Sequence, residues 1–147
     1  MDYSRFKRLS RIVIKVGTSS LTYETGKLNI KKIEQLVRVI SDLRNRGIEV
    51  ALVSSGAVGA GVGKLNLPEK PDDTRKKQAL AAIGQASLVS MYDRFFAEYG
   101  HNTAQVLLTK FTLDEEARYI NAKNTFEMMF EYGVIPIVNE NDVISTY

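Results

Sequence analysis

Four short apolar runs, RIVIKV, IEVALVSS, TAQVLLT and VIPIV, alternate along this chain with longer stretches of helical periodicity, and this alternation most constrains its fold. From Leu28 onward, Ile30, Ile33, Leu36, Val37, Ile40 and Leu43 recur on one helical face, with Asn29 placed as N-cap and Gly47 just past the end. Residues 74–99 predict a long helix closed by Gly100. Its middle, ALAAIGQAS, is rich in small side chains suited to close approach of a neighbouring element. The stretch TLDE, residues 112–115, reads as a capping box that opens a further helix ending before Gly133. Strand-length apolar runs alternating with helices predict an α/β fold, a mostly parallel sheet with helices on both faces.

Composition narrows the class. With 147 residues the chain suits one domain, and a domain of this size buries about 68–70% of its unfolded surface. Hydrophobic residues at 44% and charged residues at 25% are ordinary for a soluble globular protein, and no apolar run approaches a membrane span. There is no cysteine, which removes disulfides and thiolate chemistry and points to a reducing, cytoplasmic setting. Residues 1–10, MDYSRFKRLS, read as a basic N-terminal arm ahead of a stretch too short for a signal-peptide core. The net charge of +3 is spread among acids without aromatic interleaving, so it suits an anionic small molecule better than a nucleic acid.

In parallel sheets ligands bind beyond the carboxyl ends of the strands. The first run ends in Lys15 followed by Gly17, Thr18 and Ser19, where successive N–H groups beside a cation can hold a phosphate. A tight turn into a hairpin, SLTYETGKL, explains the same residues equally well. The second run ends in Ser54, Ser55 and Gly56, with Ala57 opening a short glycine-rich helix whose amides favour a carboxylate or phosphate. This is neither a Walker A loop, since Val58 and Leu65 stand where glycine and Ser/Thr are required, nor a G-x-G-x-x-G loop, since Gly59, Gly61 and Gly63 are evenly spaced; packing explains those three. The fourth run ends in Asn139, Glu140, Asn141 and Asp142, groups able to bind an amino group or a metal's water shell, or simply to shape a loop. Three polar endings along one sheet edge favour a ligand site. His101 has no partner pattern around it and is assigned no role. Tyr119, Phe126, Met128, Met129, Phe130 and Tyr132 read as core or interface packing.

Taken in order, IVIKVGTSSL, EVALVSSGAVGAG, ALAAIGQ, AQVLLT, NAKNTF and IPIVNENDV resemble the amino-terminal part of the amino acid kinase family, in its glutamate-phosphorylating branch, from Arg11 to Tyr147. The resemblance implies ATP-dependent phosphorylation of the L-glutamate side-chain carboxylate, the first step towards proline, with Mg2+ as cofactor and proline as feedback inhibitor. It implies that Lys15 contacts the transferring phosphate as the catalytic cation and that the backbone of Gly17, Thr18 and Ser19 cradles it. Ser55 and Gly56 would hold glutamate, with Asp142 as the substrate-binding aspartate and Asn139 beside it. The family pattern continues into a Gly-Asp-Asn-Asp segment and a nucleotide-binding lobe, and often into an RNA-modification-type domain. Residues 11–147 are therefore expected to lack the nucleotide lobe, to be inactive alone, and to self-associate as a homo-oligomer. A noncatalytic module binding glutamate or an effector is the alternative, as is a sister kinase acting on another carboxylate.

Overall fold

The four apolar runs become four parallel strands in the computed structural model, which describes residues 9–25 and 27–145. They are β1 (Arg11–Val16), β2 (Glu49–Ser54), β3 (Thr103–Leu108) and β4 (Ile135–Glu140), side by side in the order β1-β2-β4-β3. Val16 lies opposite Ser54 and Leu108 opposite Glu140, so the carboxyl ends share one edge. Between the strands come α1 (Thr18–Leu21), α2 (Ile30–Asn45), α3 (Ala57–Lys64), α4 (Thr74–Ala97), α5 (Lys110–Asp114) and α6 (Glu116–Glu131). Of the basic arm, only Leu9 and Ser10 fall among the described residues. No helix there is long and apolar enough to cross a membrane.

A proline inside a central strand removes a ladder donor, and β4 shows how that is tolerated. The N–H of Ile135 donates to the Asn102 carbonyl on the β3 side. The next residue, Pro136, therefore turns its missing donor towards β2, where pairing begins only at Leu52 and Ile137.

One face of the sheet carries the core. Val50 and Leu52 of β2 and Ile135 and Ile137 of β4 pack against Ile33, Val37 and Ile40 of α2 and Leu88, Tyr92 and Phe96 of α4, each no more than 1% exposed. Burial of each such side chain contributes about 1.5–3 kcal/mol. The predicted caps hold, since Asn29 Oδ1 accepts from the Lys32 N–H at 3.1 Å and Gly47 follows α2 at φ +83°. At the base of the strand ends the buried Ser54 hydroxyl meets the Tyr92 phenol at 3.0 Å. Burial pushes that phenol up to about 12, so it stays protonated.

The other face is covered by α6, which places helices on both faces. Arg11 holds it there: Nη1 and Nη2 donate to the two carboxylate oxygens of Glu127 at 2.8 and 2.9 Å, Nε donates to Glu49 at 2.7 Å, and the guanidinium stacks 4.2 Å from the Phe130 ring centroid. An apolar cleft of about 360 Å³ remains between α6 and the sheet, and Val13 on β1 is 66% exposed.

Two local readings are corrected. The cap near residue 112 lies one turn earlier, where Thr112 Oγ1 accepts from the Thr109 N–H at 3.2 Å and opens α5; α6 then starts at Glu116 without a side-chain cap. β4 runs two residues past VIPIV, so Asn139 and Glu140 belong to the strand. Of the aromatic and methionine residues assigned to core or interface packing, Phe130 belongs to the core, whereas Tyr119, Met128 and Tyr132 are exposed in the single chain.

The small residues of α4 do serve close approach. A Cβ on Gly84 would lie 1.8 Å from the Ala57 carbonyl oxygen and 2.4 Å from the Gly61 nitrogen, and one on Gly61 would lie 2.2 Å from the Leu80 carbonyl oxygen. The two helix backbones touch, and no flexible side chain can move aside. Gly84→Ala should therefore destabilise the fold by roughly 1–3 kcal/mol or more, and chemical denaturation should show a lowered midpoint. An unchanged midpoint would refute this contact.

Candidate functional site

Because β1, β2 and β4 end on one edge, the chain turns there three times in a small space. Past Val16, Gly17 caps α1 in an ordinary extended conformation, φ −87° and ψ 165°, and a Cβ there would meet nothing within 4 Å. Neither strain nor packing demands this glycine. The chain then returns through an isolated antiparallel bridge between Thr22 and Leu28, in keeping with the hairpin reading of this segment.

Past Ser54, the Ser55 N–H donates to the Val16 carbonyl at 3.0 Å and ties the two strand ends together. Gly56, at φ +109° and ψ 0°, then reverses the backbone into α3, a conformation that strains any residue with a side chain. Past Glu140, the Asn141 N–H donates to the Leu108 carbonyl at 2.7 Å, and the N–H groups of Ile144 and Ser145 return to the Asn141 carbonyl. The Ser145 hydroxyl caps this turn on the Glu140 carboxylate.

A cleft of about 340 Å³ lies between these ends. Lys15, Thr18, Ser55, Gly56, Asn139 and Asp142, all singled out in the sequence, line it; Gly17 and Ser19 flank Thr18 without lining it. The structure adds Lys70 and Glu140 and the first turn of α3, Ala57, Val58 and Gly59. A larger trough of about 740 Å³ runs along the outer sides of α2 and α4, lined by Glu34, Arg94 and Glu98 among apolar residues, but no strand end reaches it.

Charge in the strand-end cleft is mixed. The Asp142 carboxyl is held above its ordinary range, chiefly by burial and further by the neighbouring Glu140 carboxylate, while Lys70 acts in the opposite direction. Two cations, two carboxylates and the free amides at the start of an eight-residue helix can receive a zwitterion. Among the described residues no group of three or more acidic or histidine side chains is arranged to hold a metal ion. The donors present suit a magnesium ion that arrives with phosphates, which needs only one or two protein carboxylates.

Two contributors were missed from the sequence. Lys70 sits in the loop between Pro68 and Pro71, read only as a connector, although two prolines stiffen the backbone carrying it. Gln85, within the small-residue run of α4, is 9% exposed, and its Oε1 accepts from Asn139 Nδ2 at 2.9 Å. A lone amide among small residues on a buried helix face was the available signal. His101 precedes β3, at the opposite end of the sheet from the cleft.

Comparison with known proteins agrees with this architecture. The model of the amino acid kinase family matches residues 10–147. The chain is 58% identical over 139 residues to a protein named glutamate 5-kinase from Clostridium perfringens (strain 13 / Type A), covering 95% of this chain and 52% of the relative. It is 58% identical over 135 residues to the glutamate 5-kinase of Thermoanaerobacter sp. (strain X514), with 92% and 36% covered, and 55% identical over 147 residues to that of Clostridium tetani, with 98% and 55% covered. The chain thus spans about half or less of the length of these relatives. A parallel α/β sheet with its polar groups gathered at the strand ends, together with a family match over nearly every residue, establishes that this chain belongs to the amino acid kinase family.

Proposed function

We propose that this chain forms the amino-acid-binding part of a kinase that transfers the terminal phosphoryl group of ATP to the side-chain carboxylate of L-glutamate, giving glutamyl 5-phosphate on the way to proline. The observation that carries this reading is the convergence of Lys15, Ser55, Asn139 and Asp142 on one mixed-charge cleft. The names of the relatives point to the same substrate.

Each residue has a physical task. Asp142, partly desolvated beside Glu140, gains most from a cation and receives the substrate's ammonium group with Asn139. The Ser55 side chain and the amides opening α3 hold a carboxylate. Lys15 stands across the cleft as the charge that stabilises a transferring phosphoryl group. Gly17 leaves open space where the backbone of Thr18 and Ser19 approaches that group. The acceptor carboxylate is already ionised near neutral pH, so positioning and charge carry the reaction without a general base. ATP supplies the phosphoryl group when bound, and Mg2+ enters with its phosphates. Proline, as an inhibitor of the assembled protein, and self-association belong to the same proposal.

Calorimetric titration of L-glutamate into the chain should show one-site binding, with magnesium-ATP binding weakly or not at all. A chain silent towards glutamate would overturn the reading. Glutamate binding without phosphoryl transfer, even by a chain extended to the relatives' full length, would favour a noncatalytic binding module.

Asp142→Asn should weaken glutamate binding by about 10- to 100-fold, as expected for loss of a hydrogen bond to a charged group worth about 1.5–3 kcal/mol. The same change should stabilise the ligand-free fold at neutral pH. With its pKa raised in the folded state, Asp142 contributes stability that is present below the unfolded pKa and lost as pH rises through the folded one. The asparagine variant avoids that loss. Thermal unfolding should show its advantage at pH 7 and none in acid; a variant less stable than the parent at pH 7 would contradict the assignment.

A further inference from the structure

Ser55 and Gly56 carry the chain from β2 into α3, and three of their four backbone polar groups are engaged within it. The Ser55 N–H donates to the Val16 carbonyl at 3.0 Å, the Ser55 carbonyl accepts from the Ser54 hydroxyl at 3.2 Å, and the Gly56 carbonyl accepts from the Ala60 N–H at 2.8 Å. The Gly56 N–H has no partner among the described residues, although Gly56 is buried and lines the strand-end cleft. A buried backbone donor of this kind is rare and marks a place for an acceptor from outside the chain.

The direction of the hydrogen bonds behind this peptide is fixed by chemistry. A carbonyl only accepts, so the single hydrogen of the Ser54 hydroxyl goes to Ser55. The 3.0 Å contact between Ser54 Oγ and the Tyr92 phenol then requires the phenol to donate, and burial keeps it protonated to do so. The reverse arrangement would leave the hydrogen of the fully buried Tyr92 phenol without an acceptor, which is costly. The relay therefore runs one way, from Tyr92 through Ser54 to the Ser55 carbonyl, and each bond polarises the next.

The peptide joining Ser55 to Gly56 is trans and planar, so its carbonyl and its N–H point in opposite directions. With the carbonyl drawn to the buried Ser54, the N–H is turned outward to the cleft. Backbone preference does not choose this orientation. Rotating the peptide by half a turn would carry Gly56 from φ +109° to about −70°, and glycine occupies positive and negative φ about equally readily. The relay makes the choice. Because β2 stands between β1 and β4, Gly56 follows a strand flanked by the one that carries Lys15 and the one that carries Asn139. With the ammonium group of glutamate at Asn139 and Asp142, its side-chain carboxylate extends towards Lys15 and meets Gly56.

We infer that Tyr92 and Ser54 are positioning residues whose relay holds the Ser55–Gly56 peptide with its N–H towards the cleft, where it donates to an oxygen of the acceptor carboxylate. This rests on the proposed binding of glutamate and adds to it what presets the amide that receives the side chain.

The test follows the Gly56 amide by NMR, assigned sequentially between Ser55 and Ala57, while L-glutamate is titrated into the complete 147-residue chain. In the parent the Gly56 amide proton should move downfield as the carboxylate binds. Ser54→Ala removes the donor to the Ser55 carbonyl. In this variant glutamate affinity should fall about 10- to 100-fold, the loss of one hydrogen bond to a charged group, and at saturating glutamate the Gly56 proton should no longer move downfield. Ser54→Ala strands the Tyr92 phenol; if it fails to fold, Ser54→Ala/Tyr92→Phe takes its place, removing the relay without leaving a buried hydroxyl unpaired.

Glutamate binding to the parent without movement of the Gly56 proton would overturn the inference and leave the glutamate reading intact. So would a variant that loses affinity yet keeps the downfield movement, which is the mark of a purely structural role. A parent chain that does not bind glutamate would overturn the glutamate reading itself, and the inference with it.

Discussion

The contact on which the site depends is the one between the backbones of α3 and α4. Gly84 meets the Ala57 carbonyl and the Gly61 nitrogen with no room for a methyl group, and Gly61 meets the Leu80 carbonyl in the same way. That approach brings the amino end of α3, with its unpaired amides, to the strand-end cleft. It also fixes the depth of the next residue of α4, Gln85, which reaches Asn139 across the top of the sheet. Small residues in the middle of a long helix are thus a packing device with a consequence at the site, because any separation of the helices would move Ser55, Gly56 and Gln85 relative to Asn139.

The cleft is built on strand ends with polar groups of both signs. Parallel pairing stops when the strands reach their polar residues, and three chain reversals bring Lys15, Ser55 and Asp142 together from positions far apart in sequence. The buried edge of this arrangement is made safe by Ser54 and Tyr92, which satisfy one another beneath it. Asp142 is left less stabilised than an ordinary surface carboxylate. The second face is less complete, since Arg11 pins α6 through Glu127 while the cleft under the helix leaves Val13 open.

Much of this was readable in advance, and the reasons differ by element. The period of α2 and its Asn29 cap follow from spacing and local hydrogen bonding, which a sequence carries directly. Cleft-lining residues on three strand ends were foreseeable because parallel strands in one sheet share an edge. The cap of α5 was misplaced by three residues because Thr109 and Thr112 both fit the start of a helix, and only the end of β3 at Leu108 decides between them. Lys70 was passed over because a loop residue's reach depends on where its anchors stand. The aromatic residues of α6 were assigned to core or interface packing together, because hydrophobicity alone does not say which side of a helix meets the sheet.

By itself, then, the sequence determined the strand and helix alternation, the parallel sheet, and which polar residues would sit at its carboxyl edge, because these depend on periodicity and short-range chemistry. Tertiary structure alone decided the strand order β1-β2-β4-β3, the contact of Gly84 with Ala57, and the hydrogen bond between Asn139 and Gln85. Those features depend on distances between segments tens of residues apart, and only the packing of the helices on the sheet sets such distances.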